Sequence, residues 1–225
     1  MAVGVVPSFS MTPVWDDPLD ILPRRKPLEF LKDETIYTAQ DRADSFFLVV
    51  DGAVKLGRIS PSGRETILDF CPRDSFFGES SLLRSAYRDQ SAIAFEDCQI
   101  MEWTTSDLHQ IMCRAPELGL SLLRVVARKL YEADRRIESF AVDHISQRLI
   151  KALLRLADTF GTPLDASTIH IMPITHELLG RYVGTSREII TQHMNQLCNK
   201  GLLLYSRAGI EFDPAALRKE LDHFH

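Results

Sequence analysis

Residues 184–197 read Gly-Thr-Ser-Arg-Glu-Ile-Ile-Thr-Gln-His-Met-Asn-Gln-Leu, a stretch in which apolar and hydrogen-bonding side chains alternate at helical spacing. Ile189, Ile190, Met194 and Leu197 form one face, which leaves Ser186, Arg187, Glu188, Thr191, Gln192 and Asn195 on the other. Those types have a specific use. An arginine can donate two hydrogen bonds to guanine, a glutamate can accept from cytosine N4, and Gln or Asn can bracket adenine. The plainer reading of the same face is a solvated helix surface, with Glu188 serving only to cap the helix start.

Other chemistries fail on spacing. His176-Glu177 begins like the zinc-protease motif H-E-x-x-H but has Gly180 where the second histidine is needed. The four cysteines, at 71, 98, 113 and 198, include no C-x-x-C pair, so neither a zinc site nor a dithiol is expected. His109 is the one histidine in residues 1–143, too few for haem or for the clustered ligands of a cupin-type jelly-roll enzyme. No nucleophile–base set or G-x-x-x-x-G-K-[ST] loop is present, so no enzyme and no metal site are expected.

The reading face needs elements to hold it. The pattern predicts a helix over about 176–182, capped by Thr175, a turn at Gly184, and a second helix from 186 to about 199. Thr185 and Glu188 have T-x-x-E spacing, which predicts a capping box. Gly201 should end the second helix. The runs 202–205 and 210–212 then read as a hairpin, which makes the unit a winged helix-turn-helix. A helix over Ile145 to Phe160 and a short strand over Thr168 to Met172 precede it.

Upstream, Gly119, Leu123, Val126, Leu130, Ala133, Ile137, Phe140 and His144 follow a 4-3-4-3 spacing, the seam of a helix paired with a parallel copy. A second apolar set, Leu118, Leu122 and Val125, could cover the helix's own barrel. From about 35 to 105, short apolar runs are broken by turn residues every 8–12 positions, as in an antiparallel sandwich or jelly roll. Residues 1–27, with five prolines, read as a loose lead-in. The expected fold is α+β. Its divisions are a lead-in and jelly-roll sensor domain (1–117), a dimerisation helix and hinge (118–144), and a C-terminal winged helix-turn-helix (145–225).

A jelly roll, a long helix and then V-G-T-S-R-E-I-I-T-Q-H-M-N-Q-L with a wing resembles the Crp-Fnr family of bacterial transcription regulators, over roughly residues 28–213. The resemblance implies that Arg187 and Glu188 read bases, and that Thr175 and Ser186 touch phosphates. A further base-region arginine of the catabolite activator falls at Gln192, which implies a different operator. The implied partners are palindromic double-stranded DNA, a second copy of the chain, RNA polymerase and a small-molecule effector, with no membrane. Phe77-Gly78-Glu79-Ser80 and Gln90-Ser91-Ala92 resemble the cassette that holds cyclic nucleotide in many members. Gly78, Glu79 and Ser91 fit that cassette, with Ser80 beside them in the same stretch, but Gln90 replaces its phosphate-binding arginine. Arg88 stands two residues away, and Ala133 and Asp134 replace the Thr-Ser pair that meets adenine. These departures speak against cyclic AMP, because an unpaired phosphate in a partly buried site costs several kcal/mol. The N-terminal cysteine cluster of iron–sulfur relatives is missing. Some relatives bind an organic acid at the long helix, where Arg128, Lys129, Arg135 and Arg136 offer charge. Cys198 offers a redox alternative, with a buried inert thiol as the plainer reading.

The alternative of another class is a ligand-binding module that regulates a protein instead of DNA; the helix-turn-helix argues against it. The chain of 225 residues carries a formal charge of -5, which taken alone opposes nucleic-acid binding. Residues 1–142 hold 17 Lys and Arg against 22 Asp and Glu, whereas residues 143–225 hold nine of each. The acidic balance therefore belongs to the sensor half. Without a signal-type N-terminus or an apolar run of spanning length, the cytoplasm is the expected location.

Overall fold

The computed structural model describes residues 18–83 and 86–223. The lead-in up to residue 17 lies outside the described residues. Its last part is not loose: Pro18 and Leu22 are buried, and Trp103 Nε1 donates to Pro23 O at 3.2 Å.

Eight strands build two four-stranded antiparallel sheets. They are β1 (Leu28–Phe30), β2 (Thr35–Tyr37), β3 (Ser45–Asp51), β4 (Val54–Ile59), β5 (Glu65–Cys71), β6 (Phe76–Phe77), β7 (Ser91–Ala94) and β8 (Cys98–Thr104). One sheet runs β1-β8-β3-β6 and the other β2-β7-β4-β5. Strand β3 shows why its run Phe46 to Val49 is continuously apolar. Phe47 and Val49 join Leu56, Phe77 and Ile100 between the sheets, while Phe46 and Leu48 point the other way to Trp103, Leu118 and Leu122. A strand buried on both faces loses the alternation of a half-exposed one.

Helix α1 (Thr105–Arg114) starts on a capping box between Thr104 and Asp107. Helix α2 (Glu117–Val142) follows, and its two apolar sets divide as their spacing requires. Leu118 and Leu122 are buried on the barrel, whereas Leu123, Leu130 and Ile137 are each more than 60% exposed. His144, placed by spacing at the end of the seam, lies beyond α2, in the extended break before α3 (Ile145–Phe160).

The C-terminal part contains α3, α4 (His176–Val183), α5 (Arg187–Asn199) and α6 (Pro214–Asp222). Its sheet has the order β11-β12-β10-β9, from β9 (Thr162–Pro163), β10 (Ile169–Ile171), β11 (Leu203–Tyr205) and β12 (Ile210–Phe212). Leu149, Leu153, Leu179, Ile190, Met194 and Phe212 form its core, and the barrel's Ile67 and Phe70 join them. Arg136 ties the same junction by donating to Ile67 O at 3.3 Å and to Tyr182 O at 3.2 Å. Arg181 is ion-paired with Glu65 on β5.

Candidate nucleic-acid interface and effector cassette

The turn between α4 and α5 follows from two glycines. Thr175 Oγ1 accepts from Leu178 N at 3.1 Å and starts α4, and Gly184 ends it in the left-handed region at φ +78. At Gly180 a Cβ would lie 2.9 Å from Thr185 O, so only a bare backbone allows the turn to fold this closely. The cap of α5 corrects the expectation of a Thr185–Glu188 box. Ser186 is the N-cap, its Oγ accepting from Ile189 N at 3.4 Å, because the left-handed residue at 184 delays the helix by one position. Glu188 bonds to its own backbone N–H and to Ser186, which holds its carboxyl below the usual carboxylate range. The end of α5 matches expectation: Gly201 N donates to Cys198 O and Leu202 N to Leu197 O, the paired bonds of a Schellman motif.

Along α5, Ile190 and Met194 are wholly buried, and Ser186, Arg187, Glu188, Gln192 and Asn195 are exposed on the opposite face. Thr175 is also exposed. Two of the residues taken as readers have work inside the chain. Thr191 Oγ1 donates to Arg187 O at 2.9 Å and lies 2.9 Å from His176 Nδ1. Asn195 Oδ1 accepts from Tyr205 Oη of the wing at 2.8 Å. The rings of His176 and Tyr205 meet at 5.0 Å. A strut therefore runs from the start of α4 to the wing behind the exposed face. Neither end of it is legible in the sequence, where His176 stands in an incomplete H-E-x-x-H motif and Tyr205 in a strand run. Burial, and then the charge of Arg187, lowers the pKa of His176.

In the barrel, Gly78 adopts φ +87, and a Cβ there would lie 2.9 Å from Phe47 and 3.0 Å from Arg88 Nη1. Glu79 and Ser80 follow in a short 3-10 turn. Arg88 is only 4% exposed and points into the barrel wall. It donates to Gly78 O at 3.1 Å and to Ser45 O at 2.6 Å, and lies 4.3 Å from the Tyr37 ring centre. It braces the cassette from within and does not stand in for the missing phosphate ligand. Ser80 Oγ is buried and unpartnered among the described residues, and Gln90 and Ser91 are half-buried. Ala133 and Asp134 are exposed on α2. The α2 side chain that does reach the cassette is Lys129, which is ion-paired with Glu79. With Glu79 engaged, Arg88 turned inward and Gln90 at the phosphate position, the residues present do not fit cyclic AMP.

Burial pushes the Cys71 thiol up to about 12 and that of Cys98 up to about 11, so neither is a thiolate near neutrality. Burial also raises Cys198. Among the described residues no group of three or more His, Cys, Asp and Glu could hold a metal ion, and no helix is long and apolar enough to cross a membrane.

A cyclic nucleotide-binding domain model matches residues 27–114, and a Crp-like helix-turn-helix domain model matches residues 147–220. The chain is 30% identical over 186 residues to a cyclic AMP receptor protein of Thermus thermophilus, covering 83% of each chain. It is 27% identical over 176 residues to a CRP-like cAMP-activated global transcriptional regulator of Mycobacterium tuberculosis, covering 78% of this chain and 79% of that one. A solved CRP/FNR-family transcriptional regulator of Thermus thermophilus superposes with a TM-score of 0.73 at 26% identity, covering 88% of this chain and 98% of that one.

Proposed function

The chain belongs to the Crp-Fnr family of bacterial transcription regulators, and on that premise we propose that it is a homodimer that reads a near-palindromic operator through α5. The carrying observation is the outward face of that helix: Arg187, Glu188 and Gln192 exposed on a scaffold fixed by buried Ile190 and Met194. Thr175 and Ser186 cap the N-termini of α4 and α5, and in this reading they contact backbone phosphates. Leu123, Val126, Leu130, Ala133, Ile137 and Phe140 supply the dimer seam, since an isolated helix would not expose such a row without a partner. The seam would set two copies of α5 about 34 Å apart, for successive major grooves.

In this reading residues 1–117 sense, 118–144 dimerise and hinge, and 145–225 bind DNA, with RNA polymerase as the downstream partner. The barrel's signal passes through the contact of Glu79 with Lys129. An effector that takes either charge away from the other changes how α2 sits on the barrel, and so biases the placement of α5. The half-buried seat favours an acid that competes with Glu79 for Lys129 over cyclic AMP. A redox signal has weak support, given the raised thiols of Cys71, Cys98 and Cys198.

Footprinting on DNA selected from a random pool tests the reading. A protected near-palindrome with half-sites one helical turn apart is expected. Protection without sequence preference, or binding by a monomer, would reject it.

A further inference from the structure

A second site lies where the barrel, α2 and the winged helix meet. A cleft of about 890 Å³ runs between the Asp69 to Phe76 edge of the barrel, the outer side of α2, and the facing sides of α3 and α6. That volume is within the range of small-molecule sites, about 300–1,000 Å³. Eight Lys and Arg line it against five Asp and Glu. None of the described residues of α5 lines it, and neither do Gly78, Glu79, Ser80, Gln90 or Ser91; it adjoins the cassette through Lys129, which lines the cleft and pairs with Glu79.

Three guanidinium groups line the cleft within contact of aromatic residues. Arg136 lies 4.6 Å from the Tyr182 ring centre and spends its hydrogen bonds on backbone carbonyls. Arg155 Nη1 donates to Tyr182 Oη at 3.4 Å. Arg148 lies 5.2 Å from the Phe140 ring centre, and its Nε is buried with no hydrogen-bond partner. Among the described residues none of the three is ion-paired with a carboxylate. Asp69 is the carboxyl that Arg136 senses, and burial raises the pKa of that group. Arg136 and Arg155 also repel one another. Positive charge is thus gathered beside aromatic rings, with three guanidinium groups that make no carboxylate ion pair among the described residues, at a place where planar donor forks match phosphate oxygens.

We propose that this cleft binds a small molecule carrying two or more phosphate groups, held by Arg148 and Arg155 with Arg136 behind them. Its walls come from the barrel, the long helix and the winged helix, so the ligand fastens these three in the arrangement seen here. Lys129, which also lines the cleft, connects the site to Glu79. Binding stabilises the folded chain by mass action.

The test uses the full chain and inorganic tripolyphosphate, with sodium chloride matching the ionic strength. Thermal unfolding should shift upward with saturation, and calorimetry should give a dissociation constant below 1 mM, a level set by about -4 kcal/mol of binding. Arg148→Gln and Arg155→Gln should each weaken binding at least about tenfold, the loss of one charge-assisted contact. Arg114→Gln, on the exposed end of α1 outside the cleft, should leave it within about twofold. Arg148→Lys and Arg155→Lys keep the charge and should fall between, which separates fork geometry from net charge. Circular dichroism confirms that each variant is folded. No saturable shift, or equal weakening by Arg114→Gln, overturns the proposal. Because no readout involves DNA, failure here is distinguishable from failure of the operator reading.

Discussion

Gly184, in the turn before the reading helix, lies against the ring of Phe140 near the end of α2: a Cβ at 184 would sit 2.9 Å from Phe140 Cε1. Phe140, assigned by spacing to the dimer seam, is therefore also a direct contact between the long helix and the helix-turn-helix. Gly184→Ala meets both this ring and the strain of φ +78. The variant should lose about 1–3 kcal/mol in denaturant unfolding. Phe140→Leu should return part of that loss, and an unchanged deficit would mean that the backbone strain alone is responsible.

Arg187→Ala should weaken the cognate operator by about 1–3 kcal/mol and relax preference at one base pair. Binding to random DNA should be nearly unchanged in competition gel shifts. Equal losses on both would reduce Arg187 to a phosphate contact.

The pair of Glu79 and Lys129 is about three-quarters buried on both sides, with side-chain exposures of 22% and 27%. Lys129→Met leaves a carboxylate in that setting without its partner. A loss of about 1–2 kcal/mol is expected, below the fully buried range because water still reaches the pair. Glu79→Gln in the Lys129→Met background should recover much of it. An additive double-mutant cycle would show that the two charges do not couple.

Ile137→Lys places a charge in the exposed seam of α2. Sedimentation should show monomers at concentrations where the parent is dimeric, with operator affinity falling alongside, since two half-sites are no longer linked. A dimeric variant would place the interface elsewhere.

His176 has a lowered pKa in the folded chain, so the unfolded chain binds its proton more readily. Its contribution is neutral above the unfolded value of about 6.5 and becomes a penalty as pH falls through and below it. Stability between pH 7 and pH 5 should therefore fall less steeply in His176→Gln than in the parent. Identical slopes in chemical denaturation would remove His176 as the cause.

Periodicity and local backbone chemistry are written along the chain and can be read from it. The helix boundaries at Ile145–Phe160, the Thr175 cap, the left-handed Gly184 and Gly201, and the separation of Leu118 and Leu122 from Leu123 and Leu130 are all local or repeat at fixed intervals. The two faces of α5, one buried and one exposed and polar, were legible for the same reason, since they are written in alternating residue types. Whatever depends on the far end of a side chain was settled only by packing. Arg88 lies near the cassette in sequence, but its guanidinium is taken by the carbonyl of Ser45, 43 residues away. Lys129 was one charge in a run until packing brought it to Glu79, 50 residues earlier. Asn195 and Thr191 read as base contacts until Tyr205 and His176 met them from the wing and from α4. Hydrogen-bonding groups of the same type serve DNA or the fold according to what lies within about 3 Å, and that distance is set only when separate segments pack.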